Sequence, residues 1–177
     1  GGIIALHDAD TAVLSGHTSL TNGGLLWSSH GITLTSTGSI VGNAGAALHN
    51  GLTNHGVVTG GANSPLTIVD CLVTGEGSFL GNVHFLRPTY SPGNSPASVT
   101  LGDPIFNLGT VEMELGGLIQ GTEYDHLDIL GTATLYGPTL DVVLIDGFTP
   151  DSGNSFDLFD GTIHGNFGAL NFPPLTS

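Results

Sequence analysis

Apolar residues recur at every second position through most of the chain. Runs such as "GITLTSTGSIVG", "PLTIVDCLVTG", "TVEMELGG", "HLDILG", "TATLYG" and "TLDVVLIDG" alternate or carry β-branched side chains, and each ends at Gly, Asn, Asp or Pro. No stretch sustains three helical turns with caps. The nearest candidate, "GNAGAALHNG", is short and interrupted by glycine, so the pattern predicts an all-β fold.

Two all-β architectures use such short strands, and spacing separates them. In the last third, apolar sets fall at Val111, Met113 and Leu115, at Leu127 and Ile129, at Ala133 and Leu135, at Leu140, Val142 and Leu144, and at Phe156 and Leu158, divided by brief Gly-rich corners. Each set reads as one wall of a coil. Stacked coils bury an inward ladder and leave the outer row polar, and hairpin signals are confined to Asn22-Gly23 and Asn50-Gly51. The expectation is therefore a right-handed parallel β-helix, with a β-sandwich as the alternative. In the stretch "GTEYDHLDILGTATLYGPTLDVVLIDGFTP", Leu127, Ile129 and Ala133 should face inward, His126, Asp128 and Thr132 outward, and Gly131, Gly137 and Gly147 should mark corners.

Composition agrees with one folded domain over residues 1–177. Hydrophobic residues make up 39% and charged ones 9%, which excludes the low-hydrophobicity, high-charge profile of disorder, and 29 glycines supply tight corners. Two halves differ within it. Residues 1–87 hold six of the eight histidines and four acids in a Gly, Ser, Thr and Asn background, whereas residues 88–177 hold eleven acids and most of the proline. The junction "RPTYSPGNSPASVTLGD" reads as an irregular excursion, because Pro88, Pro92 and Pro96 remove ladder donors.

Charge narrows the partners. Fifteen acids stand against one basic residue, Arg87, for a net charge of −14. Without Lys or Arg to displace counterions, the chain is not expected to bind nucleic acid or anionic membrane. Cations, neutral polysaccharide and further copies of itself remain as partners. Arg87 precedes Pro88, so no good tryptic site exists, which suits an extracellular or cell-surface location. Cys71 is the only cysteine and lies in an apolar run, where a buried structural thiol is expected. The sequence begins Gly1-Gly2 and contains neither a signal peptide nor eighteen consecutive apolar residues, so it reads as a processed product or fragment without a membrane span.

Part of the chain resembles a known class. "YSPGNSPASVTLGD", "TVEMELGGLIQGTEYDHLDILGTATLYGPTLDVVLIDGFTPDSGNSFDLFDG" and "GNFGALNFP", covering roughly residues 88–173, are similar to the repeat region of bacterial secreted proteins of the PEP-CTERM and autotransporter-passenger type. The carrying elements are a Ser-Pro-Gly-Asn-Ser-Pro turn, a Gly-x-x-Tyr-Asp-x-Leu-x-Ile-x-Gly coil, a Leu-x-Val-x-Leu coil, a Gly-Phe-x-Pro turn and a Gly-x-x-Phe-x-Leu coil. Ala97 stands where the class usually has Gly. The resemblance implies an exported β-helical surface, matrix or biofilm protein.

Candidate chemistry is sparse. Glu112 and Glu114 share one strand face at about 6–7 Å, a spacing that could mimic a glycosidase pair, but a solvated outer face is the expected explanation. "HDAD" (His7, Asp8, Asp10) and "DHLD" (His126, Asp128) set possible metal ligands two apart on strands, with calcium the cation that suits such an acidic chain. No cofactor is implied. No Gly-x-Ser-x-Gly elbow, phosphate loop or dinucleotide fingerprint occurs. Trp27, Tyr90, Tyr124 and Tyr136 could stack on sugars, though core and corner packing accounts for isolated aromatics. The expected function is a non-enzymatic extracellular structural protein that self-assembles into filaments through strand edges. The alternatives are a carbohydrate-binding adhesin and a polysaccharide-degrading enzyme.

Overall fold

The computed structural model describes residues 3–6, 11–43, 45–93 and 96–174, and across them the chain is all β-strand and turn, with no helix. Strands come in threes. β1 (Ile3–Leu6), β2 (Ala12–Leu14) and β3 (His17–Leu20) are followed by β4 (Leu25–Ser28), β5 (Ile32–Leu34) and β6 (Ser39–Gly42), then β7 (Ala47–His49), β8 (Leu52–Asn54) and β9 (Val57–Gly60). β10 (Leu66–Val69), β11 (Leu72–Thr74) and β12 (Ser78–Gly81) precede β13 (Val83–Leu86), β14 (Thr89–Tyr90) and β15 (Ser98–Leu101). The last strands are β16 (Ile105–Asn107), the longer β17 (Thr110–Leu115), β18 (His126–Tyr136), β19 (Thr139–Leu144) and β20 (Phe159–Asn166), and the short β21 (Ala169–Asn171).

Through the first fifteen strands, each pairs in parallel with the strand three places further on, which builds two parallel sheets of thirteen and eight strands. Parallel pairing between neighbours in every ladder is what a solenoid-like stack requires and an antiparallel sandwich lacks. The larger sheet is two columns joined by β18, which pairs with β15 through its first four residues and with β16 through Thr134–Tyr136. β20 repeats that course one layer later, with a register shift between Asp128 and Thr132. Gly131 sits at this bend, where a Cβ would run into the Asp103 carboxyl, so the expected corner is real but lies within a continuous strand.

Register turns alternation into a core. One inward row runs Ile4, Leu26, Leu48, Ile68, Phe85, Phe106, Leu135 and Gly165. A second, in the smaller sheet, runs Ala12, Ile32, Leu52, Val73, Tyr90, Val111, Leu140 and Leu170. A third runs Thr18, Ile40, Val58, Phe79, Leu101 and Ile129. Interior members of these rows are buried, each worth about 1.5–3 kcal/mol of apolar transfer, while the end members Ile4 and Leu170 are exposed. At mid-stack the rows meet in an aromatic cluster: Phe85 stacks on Phe106 at 4.8 Å between ring centres and Tyr90 lies 5.2 Å from Phe85.

Several expectations need correcting. Phe156 and Leu158 are not a strand wall. Residues 145–158 are irregular, with both side chains partly buried against the core from a loop, and the next strand starts at Phe159. His126 alternates outward in register with Ser98, but it is covered and only 5% exposed. Leu127, Ile129 and Ala133 are buried as the alternation predicts, and Gly137 and Gly147 have left-handed φ values of 70° and 72° at corners. "GNAGAALHNG" contains strand β7. Tyr90 and Tyr124 are buried in the core, whereas Tyr136 is 59% exposed.

Candidate functional site

Two regions gather chemistry, one a carboxyl cluster at the start of β18 and the other the open end of the stack. The first begins with Asp125, whose residue is fully buried. Its carboxyl accepts the backbone N–H of Ala97 at 2.8 Å and, on the other oxygen, the backbone N–H of Glu114 at 2.8 Å. It thus ties the segment that leads into β15 to β17. Burial pushes this carboxyl up to about 7; the two N–H donors pull it down, and the nearby charges of Glu114 and Glu112 add to the rise. Glu114 is raised as well, by burial and then by Glu112 and Asp146. Glu112 accepts a hydrogen bond from the Ser91 hydroxyl at 3.1 Å.

Beside Asp125, His126 faces Ser98 in register, with Nδ1 and Oγ 3.1 Å apart, and its Nε2 is buried with no hydrogen-bond partner among the described residues. Asp125 does not orient the imidazole, because both of its oxygens are engaged with backbone. The same Ser–His register pair recurs at His17 and Ser39, 2.9 Å apart on an exposed strand. Recurrence on an ordinary outer row argues that the pair belongs to strand stacking. Loop 116–124 covers this corner: a Cβ on Gly121 would stand 2.9 Å from that of Ser98. Its turn is built by Glu123, whose carboxylate accepts the N–H groups of Leu118 and Ile119 at 2.7 and 3.0 Å.

The candidate ligands among the described residues, His126 and Asp128, do not come together with a third. His7, Asp8 and Asp10 lie outside the described residues. Asp128 is half-buried and aligns with Thr100 and Asp160, while His126 turns to Ser98. Among the described residues no group of three or more His, Cys, Asp or Glu comes together where it could hold a metal ion. Glu112 and Glu114 do share one face, and Glu112 aligns with Asp141 of the next strand. Cys71 is buried, which pushes its thiol up and makes it unreactive.

Arg87 is engaged elsewhere. Its Nε and Nη2 donate to the two oxygens of Asp70 at 2.7 and 2.6 Å, a bidentate pair across a corner where both residues have positive φ. Alternation could not reveal this pairing or the Asp125 clasp. The only local hint was an acid at the Tyr124-Asp125 turn, where an Asp side chain commonly bonds backbone.

The second region is the C-terminal face of the stack. β20 pairs with β18 along one edge and β21 with β19, and no described strand pairs with their other edges. Ile163, Leu170 and Phe172 are 37%, 55% and 63% exposed. Adjoining them, a cavity of about 540 Å³ opens between Leu115, Val142, Leu144, the 150–156 loop and Phe172-Pro173. Its floor is apolar, with Phe156 held edge-on against Tyr124 at 5.3 Å. At the opposite end β1 pairs with β4 and with no other described strand, and Ile3 and Ile4 are 72% and 43% exposed.

A third feature lies on the outer face of the smaller sheet. Thr33, Thr53 and Thr74 align in register beside Gly31, Gly51, Asn50 and Thr11 around a shallow groove of about 280 Å³. No described helix is long and apolar enough to cross a membrane. No family model, curated protein or solved structure matches this chain.

Proposed function

We propose that the chain is a non-enzymatic, exported structural protein, a right-handed parallel β-helix that associates end to end into surface or matrix fibres. The observation that carries this reading is the pair of unpartnered strand edges, β20 with β21 at one end and β1 at the other, each with exposed apolar side chains. A parallel edge with free N–H and C=O groups is a template for another strand, and unlike ends joined head to tail generate an open filament rather than a closed ring. The acidic, lysine-free composition and the likeness of residues 88–173 to PEP-CTERM and autotransporter-passenger repeats support an exported location.

A non-enzymatic role is supported by the state of the reactive groups. Cleaving an acidic polysaccharide calls for a cation to neutralise it, and the single guanidinium is already paired with Asp70. The most perturbed carboxyl, Asp125, spends both oxygens on backbone. Negative-stain microscopy and light scattering over a concentration series test the reading. Filaments or head-to-tail oligomers are expected, and a strictly monomeric protein at every concentration and salt level would overturn it.

One observation favours a second reading, a carbohydrate-binding adhesin. The threonine-lined groove is neutral in a chain of charge −14 and presents hydroxyl and amide groups at strand spacing, which suits a neutral polysaccharide. Glycan-array binding abolished by Thr53→Val would favour it over the fibre.

A further inference from the structure

The two ends of the stack are the first and last layers of the same columns. Ile4 opens, and Gly165 closes, one inward row of the larger sheet; Ala12 opens, and Leu170 closes, the corresponding row of the smaller sheet. Their sizes are complementary. Gly165 leaves its inward position without a side chain, and it has to, because a Cβ there would collide with the Leu135 carbonyl and its φ is 90°. Ile4, at the other end, offers a large exposed side chain to such a space. Leu170 projects a large exposed side chain where Ala12 offers only a methyl.

Charge points the same way. Residues 1–69 contain two acids, Asp8 and Asp10, whereas residues 141–174 contain Asp141, Asp146, Asp151, Asp157 and Asp160. Two C-terminal faces would bring ten carboxylates together, while a C-terminal face meeting the N-terminal end brings seven and lessens that repulsion. Pairing of two C-terminal faces is therefore disfavoured, and the complementary sizes of Ile4 and Gly165 and of Ala12 and Leu170 favour head-to-tail addition.

Resting on the end-to-end reading above, we propose that a second copy of this chain docks in one register. Its β1 adds in parallel to the free edge of β20, with Ile4 seated over Gly165, while its β2 adds to β21, with Ala12 over Leu170. The junction repeats the step by which every layer of the chain stacks on the one before. It covers Ile4 and Leu170 and gives the last strands the partners that interior strands have.

Two variants with one damaged end each test this. Ile4→Asp spoils only the β1 end, and Leu170→Asp only the β21 end; both sites are exposed, and circular dichroism checks that each variant folds. Sedimentation should show each variant alone as a monomer and an equimolar mixture as a 1:1 dimer that grows no further. For the register, Ala5→Cys and Asn166→Cys on separate copies in a Cys71→Ala background should cross-link, because Ala5 aligns with Trp27 and Asn166 with Tyr136 in the adjoining column. Ala5→Cys with Thr162→Cys should not. If wild type assembles while the mixed variants stay monomeric, or the Thr162 pair links as well as the Asn166 pair, the docking register is wrong but end association survives. If wild type never assembles, both fail.

Discussion

The Asp125 carboxyl holds the Glu114 backbone N–H at 2.8 Å while the Glu114 carboxyl, on the same short segment, raises its proton affinity. A buried acid serves as a clasp here; burial raises its proton affinity first, and a like-charged neighbour adds to the rise. The segment leading into β15, loop 116–124 and the end of β17 meet at this point, so the clasp bears on three segments at once.

Removing the clasp strands its donors. Asp125→Ala leaves the N–H groups of Ala97 and Glu114 without their acceptor, and orphaned buried donors cost about 1–3 kcal/mol each. Urea unfolding should show a loss of about 2–5 kcal/mol, with a slope like that of wild type. A loss under about 0.5 kcal/mol, the range of ordinary surface substitutions, would refute the clasp.

The same group gives stability a pH dependence of defined sign. Its folded value of about 7 lies above the ordinary 3.8, so the folded state binds the proton more tightly than the unfolded chain. Its contribution is complete below about pH 4 and is lost as pH rises to about 7, at up to about 1.4 kcal/mol per unit. Glu114, also raised, acts in the same direction. His84, lowered by burial, acts oppositely, its neutral form being favoured by the fold, so stability is lost as pH falls below its ordinary 6.5. Chemical denaturation from pH 4.5 to 8 should therefore show the alkaline side of this loss in wild type. Asp125→Asn should flatten it. An unchanged slope in that variant would contradict the assignment.

Tyr90 is fully buried in the aromatic cluster, and its hydroxyl has no hydrogen-bond partner among the described residues. Tyr90→Phe keeps the ring contacts with Phe85 and Phe106 and deletes the desolvated oxygen. A gain of about 1 kcal/mol is expected in thermal or urea unfolding. A comparable loss would mean that the hydroxyl is satisfied in solution.

Like charges face each other in register at Glu112 with Asp141 and at Asp128 with Asp160. Opposed like charges on neighbouring strands cost about 0.2–1 kcal/mol, and salt screens them. Asp141→Asn should raise the melting temperature at low ionic strength and lose that advantage at high ionic strength. A gain that ignores salt would assign the effect to something other than charge.

Strand identity, the inward faces of Leu127, Ile129, Ala133, Leu135, Leu140 and Val142, and the corners at Gly137 and Gly147 were all readable in the sequence, because a two-residue period and a left-handed turn depend on adjacent residues. The paired site residues were not. Ser98 and His126, Asp125 and Ala97, and Arg87 and Asp70 lie 28, 28 and 17 positions apart, and no periodicity reports which layer rests on which. Phe156 and Leu158 alternate like a strand yet sit on a loop, since alternation marks an apolar face without stating whether a neighbour supplies the hydrogen bonds. Composition by itself also determined the acid-poor early layers and the acidic later ones. Only the stacking decided that Ile4 and Gly165 are the two ends of one row, because register is set by contacts between layers and not by the order of residues within one.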